Sequence, residues 1–275
     1  MLRSGWERLG RPPVVLNYHG LGSIPSELDP SNLFVEPERF RTQVEGLLGR
    51  GYEFVKLSEF ADRLRERGAP PGICAITFDD GTLDNLEVLQ GLAVDLGVPA
   101  TVFVCSGLLG SPHPDLDPSA GVRLMTADEL RELAAFDEIE IGSHTRLHRP
   151  LGDADEAQAY EEMVSSKREL EELVGRPVLS FAYPNGTYSA ACPRAAERAG
   201  YKVAATCGLR GRWHPYELCR ESITTLDGRV IFGIKSRGAW RTVRLSPPGR
   251  LAARLAPSRH HEPDVGWRRS REQSL

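Results

Sequence analysis

The feature that most constrains the fold of this 275-residue chain is an alternation of short apolar runs with longer amphipathic segments. Short runs rich in β-branched residues predict strands, whereas longer segments with apolar residues about 3.6 positions apart predict helices. Predicted strands cover residues 14–18, 53–56, 73–78, 100–105, 138–141, 178–183 and 202–206. Predicted helices cover residues 38–50, 58–67, 84–96, 126–135, 155–174 and 190–199. This alternation favours one α/β domain with a parallel sheet and covering helices, closed into a barrel-like form.

Charge is distributed unevenly along the chain. The formal net charge of -4 gives no general attraction to nucleic acid. Residues 237–275 hold nine arginines and three acidic residues, which leaves 25 basic against 35 acidic residues in the body. We therefore predict an N-terminal extension over 1–12, a folded domain over 13–244 and a basic, flexible tail over 245–275. The tail either stays solvated or makes a peripheral contact with an anionic surface such as a membrane.

The cysteines and the N-terminus bear on the compartment. The five cysteines are scattered singly, with no CxxC pair, which fits a reducing environment better than a disulfide scaffold. The first 13 residues have no apolar stretch resembling a signal-peptide core. No run approaches the roughly 18–20 apolar residues of a membrane-spanning helix. A cytoplasmic protein without a transmembrane segment is expected.

Two adjacent carboxylates, Asp79 and Asp80, follow the predicted strand 73–78 and precede Gly81. In parallel α/β folds, ligands bind at the C-terminal ends of the strands, where these acids would lie. One carboxylate can then bind a metal while the other remains free as a base. The alternative is that the Asp-Asp-Gly triplet is a turn with helix-capping potential.

Two histidines, His144 and His148, follow the predicted strand 138–141. A spacing of four residues places two imidazoles on one face of a helical turn, where both can bind the same metal. Such a pair also occurs by chance. Because the acidic pair and the histidine pair both follow predicted strands, however, an Asp–His–His catalytic metal site with an open position is favoured. His113, in the Gly- and Pro-rich loop 107–121, is expected to face solvent.

The segments TFDDG, SHTRLH and FAYPNG, in this order and with these gaps, resemble the polysaccharide deacetylase family with the NodB-homology domain, carbohydrate esterase family 4. The resemblance runs from about residue 13 to residue 230. It implies a distorted (β/α)7 barrel and a hydrolase that removes an N-acetyl group from an amino sugar in a glycan or glycan precursor. It further implies that Asp79 is the catalytic base. Asp80, His144 and His148 would hold one divalent metal, usually Zn²⁺, with Co²⁺, Mn²⁺ or Ni²⁺ as alternatives.

The third of these segments departs from the family pattern. Thr145, Tyr183 and Asn185 match positions that contact the oxyanion or the substrate, with Asn185 acting through its backbone N–H. Ala182 stands where many members have an arginine that braces the base. We hypothesise that Arg220, in LCRESI, replaces that arginine from a neighbouring strand end. The alternative is that Arg220 is an ordinary surface residue.

The general acid also lies in an unusual place. The family's late Leu-x-His motif is not evident, but LNYHG places His19 at the end of the first predicted strand. This arrangement resembles a circularly permuted branch of the family, in which an N-terminal Tyr-His motif supplies the acid. The strand 14–18 would then close the barrel beside the final strand, and His19 would protonate the leaving amine.

Two other functions remain open at the level of sequence. The same metal site could hydrolyse a different C–N bond, such as a formamide or a cyclic imide. The chain could also be a catalytically inactive carbohydrate-binding homologue. The presence of Asp79 beside a complete Asp–His–His set argues against an inactive protein, because binding alone needs no base next to a metal.

Overall fold

The computed structural model describes residues 10–68, 70–207 and 213–240, together with Val243 and Ser246. The strands are β1 (Val14–Tyr18), β2 (Gly20–Leu21), β3 (Phe34–Val35), β4 (Glu53–Phe54), β5 (Ile73–Phe78), β6 (Ala100–Val104), β7 (Ile139–Ser143), β8 (Ser180–Ala182), β9 (Val203–Cys207) and β10 (Leu218–Ser222). The helices are α1 (Pro37–Gly49), α2 (Leu57–Arg67), α3 (Asp84–Leu96), α4 (Ala127–Ala134), α5 (Glu156–Val174), α6 (Cys192–Arg198) and α7 (Arg229–Lys235).

Local capping chemistry sets the boundaries of two of the helices. The Thr126 hydroxyl accepts a hydrogen bond from the Glu129 backbone N–H, and the Glu129 carboxylate accepts one from the Thr126 N–H. Asp155 and Gln158 form the same reciprocal capping box at the start of α5. At the other end of α5, Gly175 takes a left-handed conformation, with a φ of 67°, that stops the helix.

Seven strands form a closed parallel barrel. Strand β1 pairs in parallel with both β10 and β5, and the ring is completed in the order β10-β9-β8-β7-β6-β5. Strand β4 pairs with the start of β5 outside this ring, while β2 and β3 form a separate small sheet. Because the barrel strands are parallel, all their C-terminal ends lie at one end of the barrel, where active sites form in such folds.

Two apolar clusters show which side chains face the barrel interior. The outer cluster joins alternate strand residues to the surrounding helices, whereas the inner cluster joins the intervening residues to one another and to α2. On β5 the inner cluster includes Ile73 and Ala75, so the alternation carries the interior face on through Thr77 to Asp79. By the same alternation, Arg220 on β10 faces the interior two residues beyond Leu218.

The predicted barrel is confirmed, and each predicted strand and helix is present with its ends displaced by at most two residues. Strands β2, β3 and β10 and helix α7 are absent from the predicted elements. Arg220 and Glu221 interrupt any apolar run through β10. Within the described part of the chain, no helix combines the length and apolar character needed to cross a bilayer. Residues 1–9, and the basic tail 245–275 apart from Ser246, lie outside the described residues. The proposed domain boundaries therefore stay predictions.

Candidate active site

Strand β5 delivers the two adjacent carboxylates to the C-terminal end of the barrel. Asp79 and Asp80 are 3% and 2% exposed. On a continuing strand the two side chains would diverge, but Asp80 has a left-handed φ of 71°, which turns the chain so that both face the same site. Gly81 follows with a φ of 76°, and a Cβ there would lie 3.2 Å from the Val104 side chain. Glycine therefore suits the tight turn after the acidic pair.

The two histidines converge on Asp80 from the end of β7. The Nε2 atoms of His144 and His148 lie 3.6 Å and 3.3 Å from Asp80 Oδ1. The predicted helical turn is wrong, because Thr145 and His148 have left-handed φ values of 64° and 55°. The Thr145 hydroxyl holds this turn by accepting a hydrogen bond from the Arg149 N–H at 3.0 Å. Such conformations cost on the order of 1–3 kcal/mol each and cluster at functional sites.

These three residues fit a single metal ion. One ligand atom from each of Asp80, His144 and His148 lies within 4.8 Å of the other two. Because the Ala182 carbonyl can only accept, His144 Nδ1 must donate to it at 2.8 Å, which leaves the Nε2 lone pair free. His148 Nδ1 lies 3.2 Å from Asp115 Oδ2. Asp80 Oδ1 is buried and has no hydrogen-bond partner among the described residues. Imidazoles held through their second nitrogen, with one carboxylate oxygen, are typical zinc ligands.

The pKa values of the three proposed metal ligands are shifted by different causes. Burial raises the pKa of Asp80, but the hydrogen bond from His113 and the charge of His148 outweigh burial and hold that pKa well below its usual range. Burial lowers the pKa of His144 to about 4. Burial also lowers the pKa of His148, yet Asp115 and Asp80 raise it to about 9. At neutral pH His144 is therefore neutral, whereas His148 carries a proton that a bound metal must displace.

Arg220 holds Asp79 in a bidentate pair inside the barrel. Its Nη1 and Nη2 atoms each lie 2.7 Å from one Asp79 carboxylate oxygen, and Asn17 Nδ2 donates to the same carboxylate at 3.2 Å. The guanidinium carbon lies 5.2 Å from the centre of the Phe103 ring. That ring occupies the space over Gly142, where a Cβ would approach it to 2.5 Å. Gly142 therefore leaves room for the Phe103 ring, which packs against Arg220 of the Asp79–Arg220 pair.

The alternative that Arg220 is a surface residue is wrong, since it is 1% exposed. Ala182, at the family's usual arginine position, lies on β8, and Arg220 reaches Asp79 from β10, two strands further round the ring. Burial raises the pKa of Asp79, but the charge of Arg220 outweighs burial, and the pKa is lowered. Asp79 is thus held ionised, as a base must be.

His19 reaches the same end of the barrel because β1 closes the ring between β10 and β5. Its Nε2 atom lies 4.0 Å from Asp79 Oδ2, and 19% of its side chain is exposed. This distance is too long for a hydrogen bond, so the ring lies beside the Asp79 carboxylate without being bonded to it. The circular permutation suggested by the N-terminal position of His19 stays a prediction.

The other predicted contacts to substrate are placed differently. Tyr183 is fully buried, its hydroxyl donates to the Tyr216 carbonyl at 3.0 Å, and its ring stacks on Tyr188. The expectation that the Tyr183 side chain contacts substrate is therefore wrong, because that side chain is part of the core. The Thr145 hydroxyl accepts the hydrogen bond from the Arg149 N–H within its own turn. Asn185 lies exposed at the end of β8 with a left-handed φ of 55°.

Two residues near the ligands were missed by sequence reasoning. The expectation that His113 faces solvent is wrong: it is 4% exposed, and its Nε2 atom lies 3.1 Å from Asp80 Oδ2. Asp115, two residues later, contacts His148. The loop folds back because the His113 N–H donates to the Val122 carbonyl at 3.0 Å. The contact between His113 and Asp80 joins residues that are far apart in the sequence. The only local feature that marks this part of the loop is the sequence Pro-His-Pro-Asp at residues 112–115.

Comparisons with known proteins agree with this fold. The polysaccharide deacetylase family model matches residues 66–204, just over half of the chain. YxkH of Bacillus subtilis strain 168, whose name assigns it provisionally to the polysaccharide deacetylases, is 27% identical over 206 residues, 74% of this chain and 68% of its own length.

Solved structures with the same fold include the Streptococcus pyogenes deacetylase PplD, determined in complex with acetate, at a TM-score of 0.69 and 23% identity over 82% of this chain and 98% of that chain. IcaB from Ammonifex degensii gives a TM-score of 0.68 and 23% identity over 83% of this chain and 98% of that chain.

The closed seven-stranded barrel is the fold of the NodB-type deacetylases. The chain belongs to the polysaccharide deacetylase family. Membership of this family indicates a hydrolase that deacetylates carbohydrates.

Proposed function

We propose that this enzyme is metal-dependent and removes the N-acetyl group of an amino sugar in a glycan or glycan precursor. Asp80, His144 and His148 would hold one divalent ion, with Zn²⁺ the best match to their donor atoms. The observation that carries the proposal is the convergence of three ligand atoms within 4.8 Å, beside an Asp79 carboxylate held by Arg220.

We assign roles in this reaction to four residues of the chain. A bound divalent ion supplies Lewis acidity, which lowers the pKa of water and polarises the acetyl carbonyl. Asp79 accepts the proton of the attacking water, and Arg220 keeps that carboxylate ionised and correctly oriented. His19, 4.0 Å from Asp79, then protonates the amine as the C–N bond breaks and acetate leaves. The backbone N–H of Asn185 is proposed to stabilise the negative charge on the carbonyl oxygen.

The metal requirement and the substrate class are tested together by measuring the product that each substrate would give: acetate from an N-acetylated sugar, formate from a formamide and the ring-opened amide acid from a cyclic imide. Protein stripped with a chelator is assayed before and after addition of Zn²⁺, Co²⁺, Mn²⁺ or Ni²⁺, on N-acetylglucosamine oligomers, a formamide and a cyclic imide. We expect acetate from the N-acetylated sugars only after a metal is restored. A matched pair of variants places the metal, since His144→Ala should lose both zinc and activity, while His214→Ala, at an exposed position, should keep both.

Acetate release that is unaffected by chelation would contradict the metal requirement. Turnover of the formamide or the imide alone would contradict the substrate class. Binding of the sugars without any turnover by the metal-loaded protein would indicate an inactive homologue.

A further inference from the structure

A four-residue stretch of the long loop after β6, residues 112–115, contacts two of the three proposed metal ligands. We call this stretch the clamp loop. It contributes His113 to Asp80 and Asp115 to His148, and neither residue belongs to the ligand set itself. The Asp80 atom contacted is Oδ2, whereas the histidine ligands face Oδ1.

The orientation of the His113 ring is fixed by its own loop. The Asp115 backbone N–H donates to His113 Nδ1 at 3.2 Å, so Nδ1 must be the unprotonated nitrogen. The proton is then on Nε2, which donates to Asp80 Oδ2 at 3.1 Å. This hydrogen bond occupies one oxygen of the carboxylate and leaves Oδ1 as the oxygen available to a metal.

Asp115 holds the second ligand in the same way. Its Oδ2 atom lies 3.2 Å from His148 Nδ1, which directs the opposite nitrogen, Nε2, toward Asp80. A carboxylate behind a histidine ligand fixes the tautomer of the ring and increases its basicity. His144 receives the equivalent support from a backbone carbonyl, that of Ala182.

The clamp loop is restrained before any metal binds. Pro112 and Pro114 flank His113, and proline restricts both its own φ and the residue before it. The loop is tied to the following segment by an antiparallel bridge between Pro112 and Arg123. Leu116, immediately after the loop, is 8% exposed and anchors its end. Little conformational entropy is therefore left to lose when the ligands are assembled.

We propose that His113 and Asp115 are positioning residues that orient two metal ligands without touching the metal, and so set the affinity of the site for a divalent ion. This inference rests on the metal site of the proposed function. It concerns metal affinity, however, and is measured without substrate.

Zinc affinity of the stripped protein, measured by competition with a chromophoric chelator, tests the proposal. We expect His113→Leu, which replaces the donor with an apolar side chain, to weaken binding by about 10–100-fold. Asp115→Asn should weaken it less, because the Asp115 side chain is half-exposed and solvent screens its charge. Asp117→Asn is the matched control: this exposed carboxylate lies on the same loop but bonds to Ser119, and its loss should leave zinc affinity unchanged.

A conservative variant separates positioning from packing. His113→Gln keeps an N–H donor of similar reach and should recover most of the affinity lost in His113→Leu. The visible spectrum of the Co²⁺-loaded variants gives a second readout, and we expect altered absorption bands in His113→Leu and Asp115→Asn but not in Asp117→Asn. Thermal unfolding of the stripped proteins shows whether each variant folds.

Wild-type zinc affinity in both His113→Leu and Asp115→Asn would overturn the proposal. If His113→Leu does not fold, the surface variant Asp115→Asn decides the question alone. A wild-type protein that binds zinc but releases no acetate would remove the proposed function and leave the role of the clamp loop intact. A wild-type protein that binds no zinc would remove both.

Discussion

Replacing Asp79 with asparagine is expected to lower kcat by about 10²–10⁴-fold, the usual contribution of a general base. Asparagine has nearly the same shape, and its carbonyl oxygen can still accept a hydrogen bond from Arg220. It carries no charge and cannot take a proton from water at neutral pH. Because Asp79 is not among the ligand atoms, the zinc content should be unchanged. Steady-state acetate release, measured beside metal analysis of the same samples, gives the comparison.

The neighbouring residue provides the control. Asp80→Asn should lose zinc as well as activity, so the two adjacent substitutions are distinguished by their metal content. If Asp79→Asn kept wild-type kcat with a full complement of metal, Asp79 would not be the base. Loss of zinc in Asp79→Asn would show that this carboxylate is itself a ligand.

The second large effect concerns stability. Arg220→Met is expected to reduce the free energy of unfolding by about 3–5 kcal/mol, because it leaves the buried Asp79 charge without its arginine partner and with only the hydrogen bond from Asn17. Both members of the pair are enclosed, with 0% of the Arg220 side chain and 5% of the Asp79 side chain exposed. Arg123→Met is the matched control, because Arg123 also pairs with a carboxylate, Glu129, but 37% of its side chain is exposed. Such an exposed pair contributes about 0–1 kcal/mol.

A double variant tests the physical reason for that loss. When Asp79→Asn is combined with Arg220→Met, no unpaired charge remains, so the double variant should be more stable than Arg220→Met alone. Chemical denaturation of the four proteins in this cycle measures the coupling between the two residues. Additive losses, or a cost for Arg220→Met no larger than that for Arg123→Met, would contradict the proposed brace.

The barrel and the ends of its strands could be predicted from the sequence because both depend on local patterns. Apolar periodicity located β5 and β7, and the acidic and histidine pairs follow those strands directly. Parallel pairing then brings the residues together, since the C-terminal ends of all the barrel strands lie at one end. The turn geometry was not predictable in this way, because the left-handed conformations of Asp80 and His148 depend on their surroundings.

Local sequence patterns do not show which residues contact the Asp79 and Asp80 carboxylates. The sequence points to Arg220 because Ala182 stands at the family's arginine position, which leaves the Asp79 carboxylate in need of another cation. Nothing comparable pointed to His113, whose contact with Asp80 spans 33 residues and depends on how the long loop folds back. For Tyr183 the local pattern was misleading. Its place in a family motif suggested contact with the substrate, whereas its hydroxyl donates a hydrogen bond within the core.

Asp80, His144 and His148 are proposed to bind one divalent ion together. Anomalous X-ray diffraction at the zinc absorption edge, from crystals of the zinc-reconstituted enzyme, measures this directly. We predict a single strong peak within bonding distance of Asp80 Oδ1, His144 Nε2 and His148 Nε2, with His113 and Asp115 still behind their ligands. Crystals of active enzyme whose zinc lies elsewhere, or which hold no metal at these three atoms, would rule out this metal site.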